Sequence, residues 1–140
     1  MKRICSIYLL LILLLTSCQG SDTLLSETSK KELNHDVKVF IEGIEKSNGI
    51  YLFSGAGERQ YLILNNMNVI QGEKATYIKS LRPEQRDKTL IIKLEELMSD
   101  NYQDKRIGKL RIFELNNDIE FENIQIFKND KETKIDLVGG

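Results

Sequence analysis

From Val37 onward the apolar residues come in short runs of period two, separated by clusters of Gly, Asn, Asp and Lys. This pattern limits the possible folds more than any other feature of the chain. Successive side chains of a strand point to opposite faces, so apolar alternation punctuated by turn residues describes β-strands. Val37, Val39 and Ile41 alternate with Lys38 and Phe40, which predicts a first strand. Residues 50–53 and 61–64 are continuous apolar runs, expected of central strands covered on both faces, and the segment Ser54-Gly55-Ala56-Gly57-Glu58-Arg59 between them has hairpin length. Further alternation involves Ala75, Tyr77 and Leu81, then Leu90, Ile92 and Leu94, then Leu110 and Ile112. Residues 124–128 and 131–138 flank Asn129-Asp130, two residues that tolerate positive φ and so form a tight hairpin turn.

About seven to nine strands are expected, with no long helix and no βαβ alternation. The fold class is therefore all-β, a single antiparallel β-sandwich or small barrel spanning residues 37–140. Leu94, Leu97, Met98 and Tyr102 sit at helical spacing but cover barely two turns, so they are read as a strand end leading into the loop of residues 99–106. Pro83, the only proline, stands in Arg82-Pro83-Glu84-Gln85-Arg86-Asp87 and is read as part of a polar link between strands. A chain of 140 residues leaves no room for a second large domain.

The N-terminus is a different material. Lys2 and Arg3 precede an apolar run at positions 4–15, interrupted only by Ser6, and Leu15-Thr16-Ser17-Cys18 follows. Twelve residues make a helix of roughly 18 Å, too short for a hydrocarbon core of about 30 Å, so residues 1–17 read as a secretory signal that is cut away. The box at positions 15–18 resembles the lipobox of bacterial lipoproteins. That resemblance implies cleavage before Cys18, lipidation of its thiol with acyl chains such as palmitate, and anchoring at the extracytoplasmic face of the cell membrane. In architecture the whole chain resembles the small lipoproteins of low-GC Gram-positive bacteria. Residues 18–36 are rich in Ser, Thr, Lys, Glu and Asp and read as a lipidated tether, long enough to hold the domain about 20 to 25 Å from the bilayer. His35 falls at the tether's end.

Loss of Cys5 with the signal and acylation of Cys18 would leave the folded part without a free thiol, so its stability has to come from an apolar core. Without Lys2 and Arg3, 18 basic residues face 21 acidic ones, and no basic stripe marks a nucleic-acid site. One His and no free Cys cannot supply a zinc ligand set, so no metal and no cofactor are expected. Asp100 and Asp104 share a loop, and Glu120 and Glu122 are placed on one face of a strand, but neither pair has the spacing of a calcium loop. Gly55 and Gly57 lead into a strand, not a helix, which argues for turn chemistry over phosphate binding.

The segment of residues 54–61 resembles a Ser-Gly-x-x-Tyr type loop of the membrane-bound inhibitors of C-type lysozyme. It departs from them in spacing, in the missing disulfide and in the missing second motif. The resemblance implies partner contact at Glu58 and Arg59. Three functions stay open: a binding or accessory module of the cell envelope, an inhibitor of an exogenous hydrolase such as lysozyme, and an envelope enzyme such as a peptidyl-prolyl isomerase. The binding module leads, because no nucleophile, base or metal motif converges.

Overall fold

The computed structural model describes residues 24–55, 57 and 59–140. Nine strands form two sheets: β1 (Leu25–Thr28), β2 (Gly49–Ser54), β3 (Gln60–Asn65), β4 (Ala75–Arg86), β5 (Thr89–Ser99), β6 (Leu110–Leu115), β7 (Asn123–Lys128), β8 (Lys131–Thr133) and β9 (Leu137–Gly139). The five-stranded sheet has the order β1-β6-β3-β2-β9 and the four-stranded sheet β4-β5-β7-β8. The sheets are stacked as a sandwich, and neither closes into a barrel. Most pairings are antiparallel as expected, but β2 with β9 and β5 with β7 are parallel.

One apolar layer lies between the sheets and includes Ile50, Leu52, Leu62, Leu64, Leu90, Ile92, Phe113 and Ile126. A second lies on the other side of the five-stranded sheet, where Tyr51, Phe53, Tyr61, Ile63 and Ile112 meet Leu33, Val37, Ile41 and Ile44. Those last three belong to a helix, α1 (His35–Ile44), so the predicted first strand at positions 37–41 is corrected. Val37, Ile41 and Ile44 repeat at i, i+4 and i+7, a helical stripe. The apparent period of two came from Val39, which faces solvent at 51% exposure. Asn34 starts the helix by accepting a hydrogen bond from Val37 N–H at 3.0 Å. Asn65, fully buried, holds its far end: Nδ2 donates to the carbonyls of Ile44 and Ser47, each at 2.9 Å, and Oδ1 accepts from Met67 N–H.

The tether expected at positions 18–36 is likewise corrected over its second half. Leu25 pairs with Leu115, a 3-10 turn follows at Lys30–Glu32, and Leu24, Leu25 and Leu33 are buried. These three leucines are the apolar residues of an otherwise polar stretch, and each contributes to a core layer.

Pro83 lies inside β4, not in a link; the link is Asp87-Lys88, with Asp87 at φ 53°. β4 is an edge strand, where proline removes no ladder bond that the sheet's interior needs. The Asn129-Asp130 turn forms as expected, with φ of 50° and 64°. The run after it is broken, however: β8 stays with the four-stranded sheet, while β9 crosses to the five-stranded one. Glu120 and Glu122 precede β7 and sit in a loop, so the expected strand face does not exist; Glu122 instead pairs with Lys88 at 2.6 Å.

Candidate functional site

The inward-facing rows of five strands turn from apolar to polar toward one end of the sandwich, at one level in β2 and β3 and in steps across β4, β5 and β7. Along β2 the row runs outward from Ile50 to Asn48, along β3 from Leu64 to Asn66, along β4 from Ile78 to Thr76, along β5 from Leu94 to Glu96, and along β7 from Ile126 to Lys128. Above the last apolar rung the sheets part, leaving a cleft of about 340 Å³. Its floor is Ile50, Leu64 and Ile78, and its walls carry Asn66, Thr76, Glu96, Lys128, Thr133 and Asp136. A concave site with an apolar base and a few converging polar groups is the general form of a small-ligand pocket, and this volume lies at the small end of such pockets.

The walls are held in place by their own contacts. Asn66 Nδ2 donates to Thr76 Oγ1 at 2.8 Å, linking β3's end to β4 across the sandwich. Lys128 Nζ lies 3.2 Å from Glu96 Oε1. Asp136 is fixed twice to Ile50: its backbone N–H donates to the Ile50 carbonyl, and its Oδ2 accepts from Ile50 N–H, both at 2.7 Å. That carboxylate needs Gly49, since a Cβ there would come within 2.5 Å of Asp136 Oδ2. The neighbouring Tyr51 phenol is raised in pKa, mainly by burial and then by the Asp136 charge. Tyr51 Oη donates to the Ser47 carbonyl at 2.8 Å. The cleft thus offers amide, hydroxyl, carboxylate and ammonium groups on a preformed frame, chemistry suited to holding a polar molecule.

Two loops border the cleft's end of the domain. Tyr102 joins them: its Oη accepts from Gly72 N–H at 2.9 Å and donates to the Glu73 carbonyl at 2.6 Å. Arg106 stacks over Tyr77, 4.3 Å from the ring centroid, and pairs with Asp104 at 2.8 Å. The Arg106 hydrogen bonds hold the Asp104 carboxyl down to a pKa of about 2. Asp104 is therefore committed to its own loop, and Asp100 does not combine with it into a cation site. Among the described residues no three His, Cys, Asp or Glu side chains are grouped to hold a metal ion.

The residues singled out from sequence lie elsewhere. Cys18 and Glu58 fall outside the described residues. Arg59 is exposed just before β3 and pairs with Glu114 at 2.8 Å. Gly57 has φ 71°, in keeping with the expected turn. His35 opens α1 and borders, with Phe40, Phe53 and Gly55, a shallow open groove at the end opposite the cleft. The sequence reading missed the cleft residues. Their only trace in the sequence is a polar residue two positions beyond the last inward apolar one, and that signal requires the strand register to be known.

No family model, no curated protein and no solved structure matches this chain. Among the described residues no helix is long and apolar enough to cross a membrane.

Proposed function

We propose that this protein is a lipid-anchored binding module of the cell envelope, fixed to the extracytoplasmic face of the membrane through acylated Cys18. Its inter-sheet cleft takes a small ligand rich in hydroxyl or amide groups. The gathering of the polar ends of five inward rows around that cleft carries the binding half of this reading. The anchoring half is supported by the charged start, the apolar run and the box at positions 15–18.

Two measurements test it. Cells fed labelled palmitate should label the wild-type protein and not Cys18→Ala; unlabelled wild-type protein would refute the anchor. For the cleft, amide chemical shifts of the protein are followed during titration with amino sugars, oligosaccharides and amino acids. A true ligand moves resonances of Asn66, Thr76 and Thr133, and Asn66→Ala combined with Thr133→Val abolishes the response while preserving the rest of the spectrum. Ligands that perturb only surfaces remote from the cleft would refute the binding half.

A further inference from the structure

We infer that the cleft selects a small hydroxyl-bearing molecule that carries a protonated amino group, and that it disfavours acids. This deepens the binding reading proposed above and rests on it. The selection comes from how charge and hydrogen bonds are divided among the cleft's own lining residues.

Three charged side chains line the cleft: Glu96, Asp136 and Lys128. Lys128 Nζ stands 3.2 Å from Glu96 Oε1, so these two cancel. Asp136 is left over. Its Oδ2 accepts from Ile50 N–H, which holds the carboxylate without neutralising it, and among the described residues it enters no ion pair. Its charge is felt in the surrounding structure, where, after burial, it adds to the upward shift of the Tyr51 phenol. The lining therefore carries one net negative charge.

Distance does not hide that charge from a bound molecule. A compact cavity of 340 Å³ is roughly 9 Å across, comparable to the Debye length of about 8 Å at physiological ionic strength. A ligand charge anywhere inside lies within reach of all three side chains, and salt screens it only in part. An ammonium meets a net attraction there, a neutral hydroxyl none, and a carboxylate a net repulsion.

The hydrogen bonds point the same way. Asn65 Nδ2 donates to the carbonyls of Ile44, Glu45 and Ser47, and Asn66 Nδ2 donates to Thr76 Oγ1. Among the described residues, the acceptors these contacts leave unengaged in the lining are Asn66 Oδ1, the second oxygen of Glu96 and the second oxygen of Asp136. A protonated amine brings three donors to such a set, more than any hydroxyl. The hydroxyls of Thr76 and Thr133 and the remaining hydrogens of Lys128 are left for the ligand's own oxygens. Glu96 is also pinned through its main chain: its N–H donates to Asn129 Oδ1 at 2.9 Å, and its carbonyl accepts from Asn129 Nδ2 at 3.0 Å. A change of side chain at position 96 therefore alters the charge and leaves the frame.

Amide chemical shifts of the full-length protein in detergent micelles test the selection with three molecules of one shape. Below neutral pH glucosamine is cationic, glucose neutral and glucuronate anionic. Glucosamine should move the resonances of Asn66, Thr76 and Thr133 with a Kd about two- to fivefold below that of glucose, the strength of a screened ion pair. Glucuronate should bind weakest, and the advantage of the amine should fade in molar salt. That advantage should vanish in Glu96→Gln and in Asp136→Asn, each of which cancels the net charge; Asp136→Asn keeps an oxygen for Ile50 N–H. It should grow in Lys128→Gln. Glucose binding in the cleft as tightly as glucosamine, or an advantage that survives both carboxylate changes, overturns the selection and leaves the cleft reading standing. No response at the cleft from these three, nor from alaninamide, lactamide and lactate titrated alongside, refutes cleft binding itself, and the selection falls with it.

Discussion

β3 and β5 each run through the interior of a sheet, yet they bury their side chains differently. In β3, Leu62 and Ile63 are both fully buried although they point to opposite faces. In β5, Ile92 is fully buried while its neighbour Lys93 reaches solvent and pairs with Glu84 at 3.0 Å. The difference lies in what covers the second face. α1 lies over the five-stranded sheet, while the outer face of the four-stranded sheet carries ion pairs and the Arg106–Tyr77 stack. A strand's hydrophobic pattern therefore reports the number of layers packed on it, and only secondarily its place within the sheet.

The sharpest way to break this comparison is to truncate both faces of both strands. Ile63→Ala, on the helix side, should cost about 2 to 5 kcal/mol, as much as Leu62→Ala on the inner side, because each leaves a cavity in a closed layer. Ile92→Ala should fall in the same range, but Lys93→Ala should cost less than about 1 kcal/mol, as exposed ion pairs do. Chemical denaturation of the four variants decides it; an Ile63→Ala penalty as small as that of Lys93→Ala would show that α1 does not seal its sheet.

A smaller effect is expected where α1 is fastened. Asn65→Ala strips the Ile44 and Ser47 carbonyls of their buried donor, so a loss of about 1 to 3 kcal/mol is expected. Hydrogen exchange should accelerate in the last turn of α1 before it does in β5. Uniform acceleration in both would mean that the helix is not a separately held cover.

The smallest effect belongs to the thinly covered outer face. Asp104 titrates near 2 when folded, below its ordinary 3.8, because Arg106 hydrogen-bonds its ionised form. A depressed carboxyl pKa stabilises the fold above the unfolded value, and that contribution is lost as pH falls from about 4 toward 2. In Asp104→Asn the slope of stability against pH should flatten in that window, and nuclear magnetic resonance titration of the wild-type carboxyl carbon should give a midpoint near 2. A midpoint near 3.8 would show that Arg106 does not hold it.

Much of the sandwich was legible because strand period and turn chemistry are local. The Asn129-Asp130 turn, the twin-faced runs at 50–53 and 61–64 and the strand ending near Ser99 all follow from neighbouring residues. What could not be read depends on contacts distant in sequence. Val37, Val39 and Ile41 fit either period, and only the apolar face of β2, β3 and β6 selects the helix. Leu24, Leu25 and Leu33 look incidental until β6, some eighty to ninety residues later, receives the first two. At the break between β8 and β9, Asp136 is bonded to Ile50, a residue 86 positions earlier in the sequence. The cleft was hidden for the same reason: Asn48, Asn66, Thr76, Glu96 and Lys128 become one ring only after the register of both sheets is fixed.

The long edge formed by β4 has a consequence for neighbouring copies. Twelve residues of strand with one unpaired side could accept a strand from another molecule and extend the sheet from copy to copy. Three irregularities interrupt the strand. Its register slips between Ile78 and Ser80, Lys79 and Arg82 stand exposed along it, and Pro83 has no N–H to offer. The remaining edges, β1, β8 and β9, are only three or four residues long. Among the described residues an incoming strand would meet an interrupted edge on β4 and only short edges elsewhere, which disfavours extension of the sheets from copy to copy.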